Sequence, residues 1–325
     1  MQKHSRRWMV IASLCCATLA TSTQASDKFP SRPIRLIVAS SAGSEPDILG
    51  RLVALHMSPD LGQPIVVDNK PGAGGLIGVA AVASAVADGY TIGLVPQATL
   101  ALSPQLLTKK LFDPLTDITP LGLLSVSGNA LMVSAKSPVK TYADLVAQAK
   151  ARPGKMSFGS WGEGSPGHIS GEIMKKASGL DMQHVPYKAS SEAMMGMLGG
   201  EVDAIFGGWG QASTQVKAGK ARVIAVTSPQ RAAVFPDAPT FKELGISFGL
   251  NSWYGLIGPK NLPAPVLKRL EDSMQKAAQH PDVVARLTAL GMQPQSSTAA
   301  QMSERLRTDH AIWGKKITEV GVQPR

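Results

Sequence analysis

The sequence predicts an α/β fold with parallel strands and two domains, on three observations. Strand-like and helix-like segments alternate along the chain after the first 25 residues, which is the pattern of α/β layers. Two strand–loop–helix units of the same design lie far apart in the chain, at 34–57 and 156–174. About 300 residues follow the N-terminal segment, which is enough for two hydrophobic cores.

The first unit begins with an apolar strand-like run at 34–38. The small-residue loop 40–44 follows, and a helix is predicted from Glu45 because Pro46 and Asp47 are typical of a first helical turn. The start of a helix offers unpaired backbone N–H groups and the positive end of the helix dipole. This loop is therefore predicted to bind an anion, and the second unit repeats the pattern with a helix opening at His168.

The other predicted elements continue the alternation. A small-residue helix is expected from Leu76 to about Ala87, and a short helix is expected at 240–244, ended by Gly245. Strands are predicted at 65–67, 90–95, 129–134, 182–187, 202–206, 222–227 and 252–258, and the last seventy residues are predicted to be largely helical. We place the crossings between domains near Gly128 and Gly249.

The N-terminus has the features of a secretion signal. A basic start precedes an apolar stretch at 8–20, and a small-x-small site ends at Ala25, after which cleavage is expected. The apolar stretch is too short to span a bilayer. Both cysteines, Cys15 and Cys16, lie in this leader, so the mature chain is predicted to have no disulfide, thiolate metal site or cysteine nucleophile.

Charge and composition exclude several classes of function. The formal charge is +10, and three of the 33 basic residues lie in the leader. No run of five like charges and no basic–aromatic repeat occurs, so nucleic acid binding is not predicted. A diffuse positive field suits small anionic ligands. The five histidines after the leader lack the spacing of metal ligands, so no metal site and no cofactor are predicted.

Two glycine patterns resemble enzyme motifs without their context. The stretch 245–249 matches the G-x-S-x-G elbow of hydrolases, but that motif needs a strand before it and a helix after it, and the predicted order is the reverse. Gly72-Ala73-Gly74 lacks the third glycine of a dinucleotide loop, since Ile77 occupies that place, and it is interpreted as a tight turn. No catalytic residue is predicted.

Several side chains near the two loops have more than one interpretation. His168 either donates to an anion or bonds locally at its helix start. Glu45 and Glu163 either complement a helix dipole, or select a ligand with a cationic or hydroxyl group, or repel a second carboxylate. Three tryptophans also have two interpretations: they either pack in a core or contact a flat apolar ligand. They are Trp161, Trp209 and Trp253.

Further motifs make the chain resemble the Bug family, the periplasmic receptors of tripartite tricarboxylate transporters. The residues that carry this resemblance occur in order along almost the whole mature chain: 29–34, Ala42-Gly43-Ser44 with Asp47, 67–75, 88–91, 164–168, 184–188 and 217–220. The resemblance implies a two-lobed, type II periplasmic-binding (Venus flytrap) fold with a mixed sheet in each lobe. It also implies an organic acid ligand held mainly by the two loops.

The chain departs from the usual pattern of that family at Ala39-Ser40, Gly43-Ser44-Glu45, Trp161, Gly207 and Glu192, so the ligand itself does not carry over. We expect lobe 1 to comprise 26–127 and 250–325, and lobe 2 to comprise 128–249. The expected ligand contacts are Ser40, Ser41, Ala42, Gly43, Ser44, Glu45, Asp47, Ser160, Trp161, Gly164, Ser165, Pro166, Gly167, His168 and Trp209.

The function expected from these features is that of a secreted, monomeric periplasmic receptor. It would capture a small organic carboxylate, aromatic or hydroxylated rather than a tricarboxylate, and deliver it to membrane transport subunits. Two alternatives stay open at this point. The same closure around a ligand could serve a sensor with a signalling partner, and a secreted serine hydrolase would need a nucleophile, base and oxyanion hole in one place.

Overall fold

The first part of the chain supplies four strands of a six-stranded mixed sheet, and its parallel strands are each followed by a helix. The computed structural model describes residues 29–248 and 251–324; the predicted leader, its cleavage site and the crossing near Gly249 lie outside them. The elements before the first crossing are β1 (Ile34–Val38), α1 (Glu45–Leu61), β2 (Ile65–Asn69), α2 (Leu76–Ala83), β3 (Thr91–Pro96), α3 (Gln97–Ala101) and β4 (Ile118–Ser127).

The chain then builds a second, five-stranded mixed sheet before it returns to the first. The second sheet comprises β5 (Asn129–Ser134), α4 (Tyr142–Ala151), β6 (Met156–Ser160), α5 (Pro166–Ser178), β7 (Met182–Pro186), α6 (Ser190–Gly199), β8 (Ala204–Gly208), α7 (Trp209–Lys217) and β9 (Ala221–Val226). The returning elements are β10 (Ser252–Pro259), α8 (Ala264–Gln279), α9 (Pro281–Ala289), β11 (Gln293–Pro294) and α10 (Ala299–Val320).

Strand order places the parallel strands of each sheet side by side. The first sheet runs β11-β4-β10-β3-β1-β2, with β1 parallel to β2 and β3, and β10 antiparallel to its neighbours. The second runs β7-β6-β8-β5-β9, with β6 parallel to β7 and β8, and β5 antiparallel to its neighbours. The two-lobed α/β fold with a mixed sheet in each lobe, predicted above, is confirmed.

Close helix–sheet packing explains why small residues recur in the helices. A Cβ on Gly171 of α5 would lie 1.9 Å from Cε2 of Phe158 on β6, so the phenyl ring occupies the space that any side chain at this position would need. Helix α10 contacts β4 and α3 of the first half as well as α5 of the second. The C-terminal helix therefore bridges the two sheets.

Two element predictions need correction. The helix from Leu76 ends at Ala83 rather than near Ala87, because Ser84 caps it and its hydroxyl bonds back to the carbonyl of Ala80. The stretch 240–245 is a turn and not a helix. Thr240 and Glu243 exchange backbone-to-side-chain hydrogen bonds at 2.7 and 3.0 Å, which satisfy this turn without a helical ladder.

The two connections between the sheets lie side by side. β4 ends at Ser127 and β5 begins at Asn129. The backbone N–H of Thr227, just after β9, donates to the carbonyl of Asn129 at 2.9 Å, and the N–H of Asn129 donates to Oγ1 of Thr227 at 3.2 Å. These two bonds continue the antiparallel pairing of β5 with β9 inside the second sheet. The return to the first sheet begins at Ser252 of β10, which pairs with Ser127 of β4.

Candidate functional site

A cavity of about 1240 Å³ lies between the two lobes, at the carboxyl ends of the parallel strands of both sheets. In open α/β sheets this edge is where ligands bind, since the loops and helix starts converge there. The cavity is lined by the starts of α1, α5, α6 and α7 and by the loop before α2. It is large enough to hold a small organic ligand together with water.

The first predicted loop lies at this cavity. Ser40, Ser41, Gly43, Ser44 and Glu45 line it. Ser44 is the N-cap of α1, yet its side chain makes no capping bond, and its buried Oγ finds no hydrogen-bond partner among the described residues. Buried hydroxyls are normally bonded, so the hydrogen-bonding capacity of this oxygen is unused within the described part of the chain.

Asp47, by contrast, shapes the loop from behind. Its carboxylate accepts hydrogen bonds from the N–H of Gly43 at 2.8 Å, from Arg51 at 3.0 and 3.1 Å, and from Asn69 at 3.0 Å. The Arg51 hydrogen bond is the main cause that holds the pKa of Asp47 below its ordinary value. Asp47 does not line the cavity, and neither does Ala42, because the aspartate turns inward to fix the loop.

Glu45 is an enclosed carboxyl group in the cavity wall. Tyr254 of β10 donates its hydroxyl to Oε1 of Glu45 at 2.7 Å. Burial raises the pKa of Glu45, an effect that the Tyr254 hydrogen bond partly offsets. Oε2 of Glu45 lies 3.1 Å from where a Cβ on Gly210 would stand, so Glu45 faces the start of α7 across the space between the lobes.

The second predicted loop faces the same cavity, but its polar groups are largely bonded to one another. Trp161, Gly164, Ser165 and Pro166 line the cavity. Ser165 caps α5 by accepting from the N–H of His168 at 3.3 Å, and the N–H of Gly164 donates to Nδ1 of His168 at 2.9 Å. This loop therefore offers a ligand the Ser165 hydroxyl and an aromatic wall more than free amides.

Behind that loop lies a pair of stacked histidines. The rings of His168 and His184 stand 4.0 Å apart at 18°. Ser160 donates its hydroxyl to the carbonyl of Gly162, so its 2.7 Å contact with Nε2 of His184 has the imidazole as donor. Burial, and then the neighbouring His168, lower the pKa of His184 to about 4. Ser160, His168 and Gly167 do not line the cavity, because they support the loop from its far side.

The structure places Trp209 in the core of the second lobe and not at the cavity surface. Its side chain is fully buried, and Cζ2 of its indole lies 2.5 Å from where a Cβ on Gly128 would stand. Only glycine at the first crossing admits the ring. Trp253 is also buried, and its Nε1–H donates to Asp309 at 2.7 Å. Both indoles pack in the core, and neither lines the cavity.

Sequence reasoning missed a large part of the cavity wall. The tertiary structure adds a set of residues from the other strand–helix junctions and the crossing: Gly72, Ala73, Gly74, Gln97, Thr99, Asn129, Lys188, Ser190, Ser191, Gly208, Gly210, Gln211, Thr214, Thr227 and Tyr254. The signal was present in part, since small residues also follow the strands at β2 and β8. The interpretation of Gly72–Gly74 as a tight turn overlooked that such a turn lies at the same sheet edge.

The lobes touch at this edge. A Cβ on Gly164 would lie 2.8 Å from Cδ1 of Leu106, and one on Gly210 would lie 2.7 Å from the carbonyl oxygen of Leu290. Both pairs join one lobe to the other. Glycine at these two positions lets the loops approach closely across the cavity mouth.

One cluster away from the cavity could hold a cation. Ligand atoms of His56, His280 and Asp282 lie within 4.8 Å of one another, although the sequence spacing of the histidines gave no such indication. Nδ1 of His280 already caps α9 by accepting from the N–H of Asp282 at 3.3 Å. A metal would have to compete with that cap.

A two-lobed fold with helix starts converging on a cavity between the lobes defines a solute-binding protein. The sequence model of the family described as tripartite tricarboxylate transporter family receptor matches residues 49–322, and the chain belongs to that family. Among the described residues, no helix combines the length and apolar character needed to cross a membrane.

Relatives and solved structures agree with this assignment. A Cupriavidus necator protein named "UPF0065 protein in gbd 5′region" is 36% identical over 295 residues, covering 90% of this chain and 88% of that protein. The periplasmic binding protein BugD is 30% identical, with a TM-score of 0.79 over 91% of this chain and all of BugD. An R. palustris protein solved with adipate is 29% identical, with a TM-score of 0.82 and the same coverage.

Proposed function

We propose that this chain is exported to the periplasm, binds a small organic monocarboxylate between its lobes, and presents it to membrane transport subunits. The observation that supports this most is the cavity, where the start of α1 and those of α5, α6 and α7 meet from opposite lobes. The adipate bound to the R. palustris neighbour supports a carboxylate as the ligand class. We infer no catalysis, and we propose that the receptor acts as a monomer.

The binding contacts follow from the groups that remain unpaired. In the first lobe, the first-turn amides of α1 have no partner inside the helix, and Ser44 supplies a buried hydroxyl. In the second lobe, the start of α6 brings Ser191 to the cavity, whereas Gln211 at the start of α7 is already bonded to Ser190. Trp161 and Ser165 complete the wall. Trp209, Asp47 and His168 act as supports of this site rather than as contacts.

Helix starts alone do not account for useful affinity. Each contributes about 0.3–2 kcal/mol to the binding of an anion, whereas micromolar binding needs about 8 kcal/mol. The remainder must come from hydroxyl and backbone hydrogen bonds in a closed cleft and from its apolar walls. Closure therefore has to join contacts from both lobes, and the ligand shifts the equilibrium of the hinge.

We place the hinge at the two adjacent crossings, near Gly128 and near Gly249, with lobes 26–127 plus 250–325 and 128–249. The pairing of Ser127, the last residue of β4, with Ser252, the first residue of β10, supports this placement, because the chain leaves and re-enters the first sheet at neighbouring positions. Residues at such crossings absorb backbone rotation while the sheets on either side move as rigid bodies.

A thermal-shift screen with calorimetry tests the ligand class. The panel contains benzoate-type acids, small hydroxylated monocarboxylates, amino acids, adipate, malate and citrate. We expect monocarboxylates to raise the melting temperature more than citrate does. Strong stabilisation by citrate, with none by any monocarboxylate, contradicts the preference, and no shift with any acid contradicts the receptor function.

The variant Ser44→Ala tests the site. We expect a loss of affinity of about ten- to a hundredfold for the best acid of the panel, because a hydrogen bond to a charged group contributes about 1.5–3 kcal/mol. The unliganded protein should keep its melting temperature, since the Ser44 hydroxyl makes no bond to lose. Ser84→Ala, which removes a hydroxyl far from the cavity that bonds the carbonyl of Ala80, is the matched control and should bind normally.

A further inference from the structure

The charged side chains of the cavity wall differ in their exposure to solvent. Among the described lining residues they are Glu45, Glu163 and Lys188. Glu163 and Lys188 are exposed, whereas Glu45 is largely covered and sits against the opposing lobe. The enclosed part of the cavity therefore carries a single formal charge, and that charge is the negative one of a carboxylate.

Glu45 is held in one place. The hydroxyl of Tyr254, a residue 209 positions away in sequence, donates to Oε1 at 2.7 Å. An ionised carboxylate has about four lone-pair sites, so this one bond leaves most of its accepting capacity open. Its Oε2 lies beside the start of α7. A ligand in the closed cleft would meet a fixed acceptor rather than a mobile side chain.

A fixed, buried carboxylate such as Glu45 determines which second functional group an acidic ligand must have. A second ligand carboxylate near Glu45 would place two like charges in a poorly hydrated space, which is unfavourable. A hydroxyl supplies one neutral hydrogen bond and leaves the buried charge without a counterion. An ammonium group supplies both a donor and the opposite charge, which is what a buried carboxylate requires.

We propose that the ligand is a zwitterion, an organic acid that also bears an ammonium group, and that Glu45 with Tyr254 is the subsite that recognises the ammonium. This inference rests on the proposed receptor function and narrows its ligand class. The raised pKa of Glu45, which follows from burial, agrees with a carboxylate that lacks a cation until the ligand arrives.

Matched acids test the proposal. Within each of three series, the members differ only in whether one position carries an ammonium group, a hydroxyl group or hydrogen. The series are phenylalanine, 3-phenyllactate and 3-phenylpropanoate; alanine, lactate and propionate; and 4-aminobutyrate, 4-hydroxybutyrate and butanoate. Calorimetry on the wild-type protein, together with the wider panel of acids, should find the tightest ligand among those with an ammonium group. In the series that binds best, the ammonium member should exceed both others by about tenfold or more.

Glu45→Gln should remove that preference, because the amide keeps the shape and the Tyr254 contact but loses the charge. We expect the affinity for the ammonium acid to fall about tenfold and that for the matched plain acid to hold or rise. Glu304→Gln, which neutralises an exposed acid on α10 away from the cavity lining, is the control and should keep the preference.

The outcomes distinguish failure of the zwitterion proposal from failure of the proposed receptor function. If the tightest ligand of the whole panel lacks an ammonium group, or if Glu45→Gln keeps the preference, the zwitterion proposal is overturned and the receptor function stands. If no acid in the panel binds the wild-type protein, the receptor function itself fails.

Discussion

The indole of Trp161 packs directly against the backbone of Gly167, so that a Cβ on Gly167 would lie 2.7 Å from Cζ3 of the ring. Gly167 lies in the first turn of α5, and Trp161 lines the cavity in front of it. A residue without a side chain thus allows the tryptophan to lie over the helix start. This pair explains why the second loop presents an aromatic wall instead of exposed amides.

Gly167→Ala should displace that indole. The added methyl cannot fit at 2.7 Å, so we expect a loss of about 1–3 kcal/mol in the free energy of unfolding and weaker binding of the best aromatic acid. Chemical denaturation and calorimetry measure the two effects. In a Trp161→Ala background the same substitution should be nearly neutral, and a loss of the same size there would show that the indole is not the cause.

Two substitutions of Ser165 separate its capping role from its place in the cavity. Ser165→Ala removes the cap of α5 and should lower the free energy of unfolding by about 1 kcal/mol. It also removes one ligand hydrogen bond of about 0.5–1.5 kcal/mol, so affinity should fall by only about two- to tenfold. Ser165→Phe also fills the cavity, and we expect it to abolish binding without unfolding the protein. Unchanged affinity of the phenylalanine variant in calorimetry would mean that the second loop is not part of the site.

The His168–His184 stack should make stability sensitive to acid. The folded-state pKa of His184 is about 4, below its ordinary value of 6.5, so between these values the unfolded chain binds more protons than the folded one. Stability is therefore complete above pH 6.5 and is lost as the pH falls toward 4, by about 1–3 kcal/mol. Urea denaturation at a series of pH values measures this loss.

The variant His184→Gln should flatten that part of the stability profile. His280→Gln leaves the stack intact and should keep the acid-sensitive step. A profile that is identical in wild type and His184→Gln between pH 4 and 6.5 would show that the buried imidazole does not control it.

Asp60 should anchor α1 to α8 through charge. Its carboxylate contacts Arg269 at 2.5 Å and Lys276 at 2.7 Å, and hydrogen bonds from Lys276 and then Arg269 lower its pKa to about 2. The folded pKa is depressed, so this stabilisation is present above about pH 4 and is lost as the pH falls through about 2. Asp60→Asn should lower the free energy of unfolding at pH 7 by about 2 kcal/mol.

Asp68→Asn is the control for that measurement. Asp68 pairs with Arg35 at a site where both side chains are substantially exposed, and such pairs contribute about 0–1 kcal/mol. Equal losses for Asp60→Asn and Asp68→Asn in urea denaturation would contradict the special role of the α1–α8 contact.

The sequence predicted the two loops of the site better than the roles of single side chains around it. The loops at 40–45 and 161–166 were recognisable because small residues between an apolar strand and a capped helix are a local pattern, and both line the cavity. The roles of Asp47 and Trp209 were not recognisable. Asp47 turns toward Arg51 and Asn69, and Trp209 fills the space above Gly128. Both roles depend on the direction in which the side chain points, which the sequence pattern does not give.

By itself, the sequence determined the α/β class, the two strand–loop–helix units and the family to which the chain belongs, because periodicity, helix starts and ordered motifs are properties of neighbouring residues. Only the tertiary structure decided which strand–helix junctions share one cavity. It also brought Tyr254 to Glu45 and His184 to His168. These pairings arise from the order of strands in each sheet and from the packing of the lobes, which no stretch of neighbouring residues specifies.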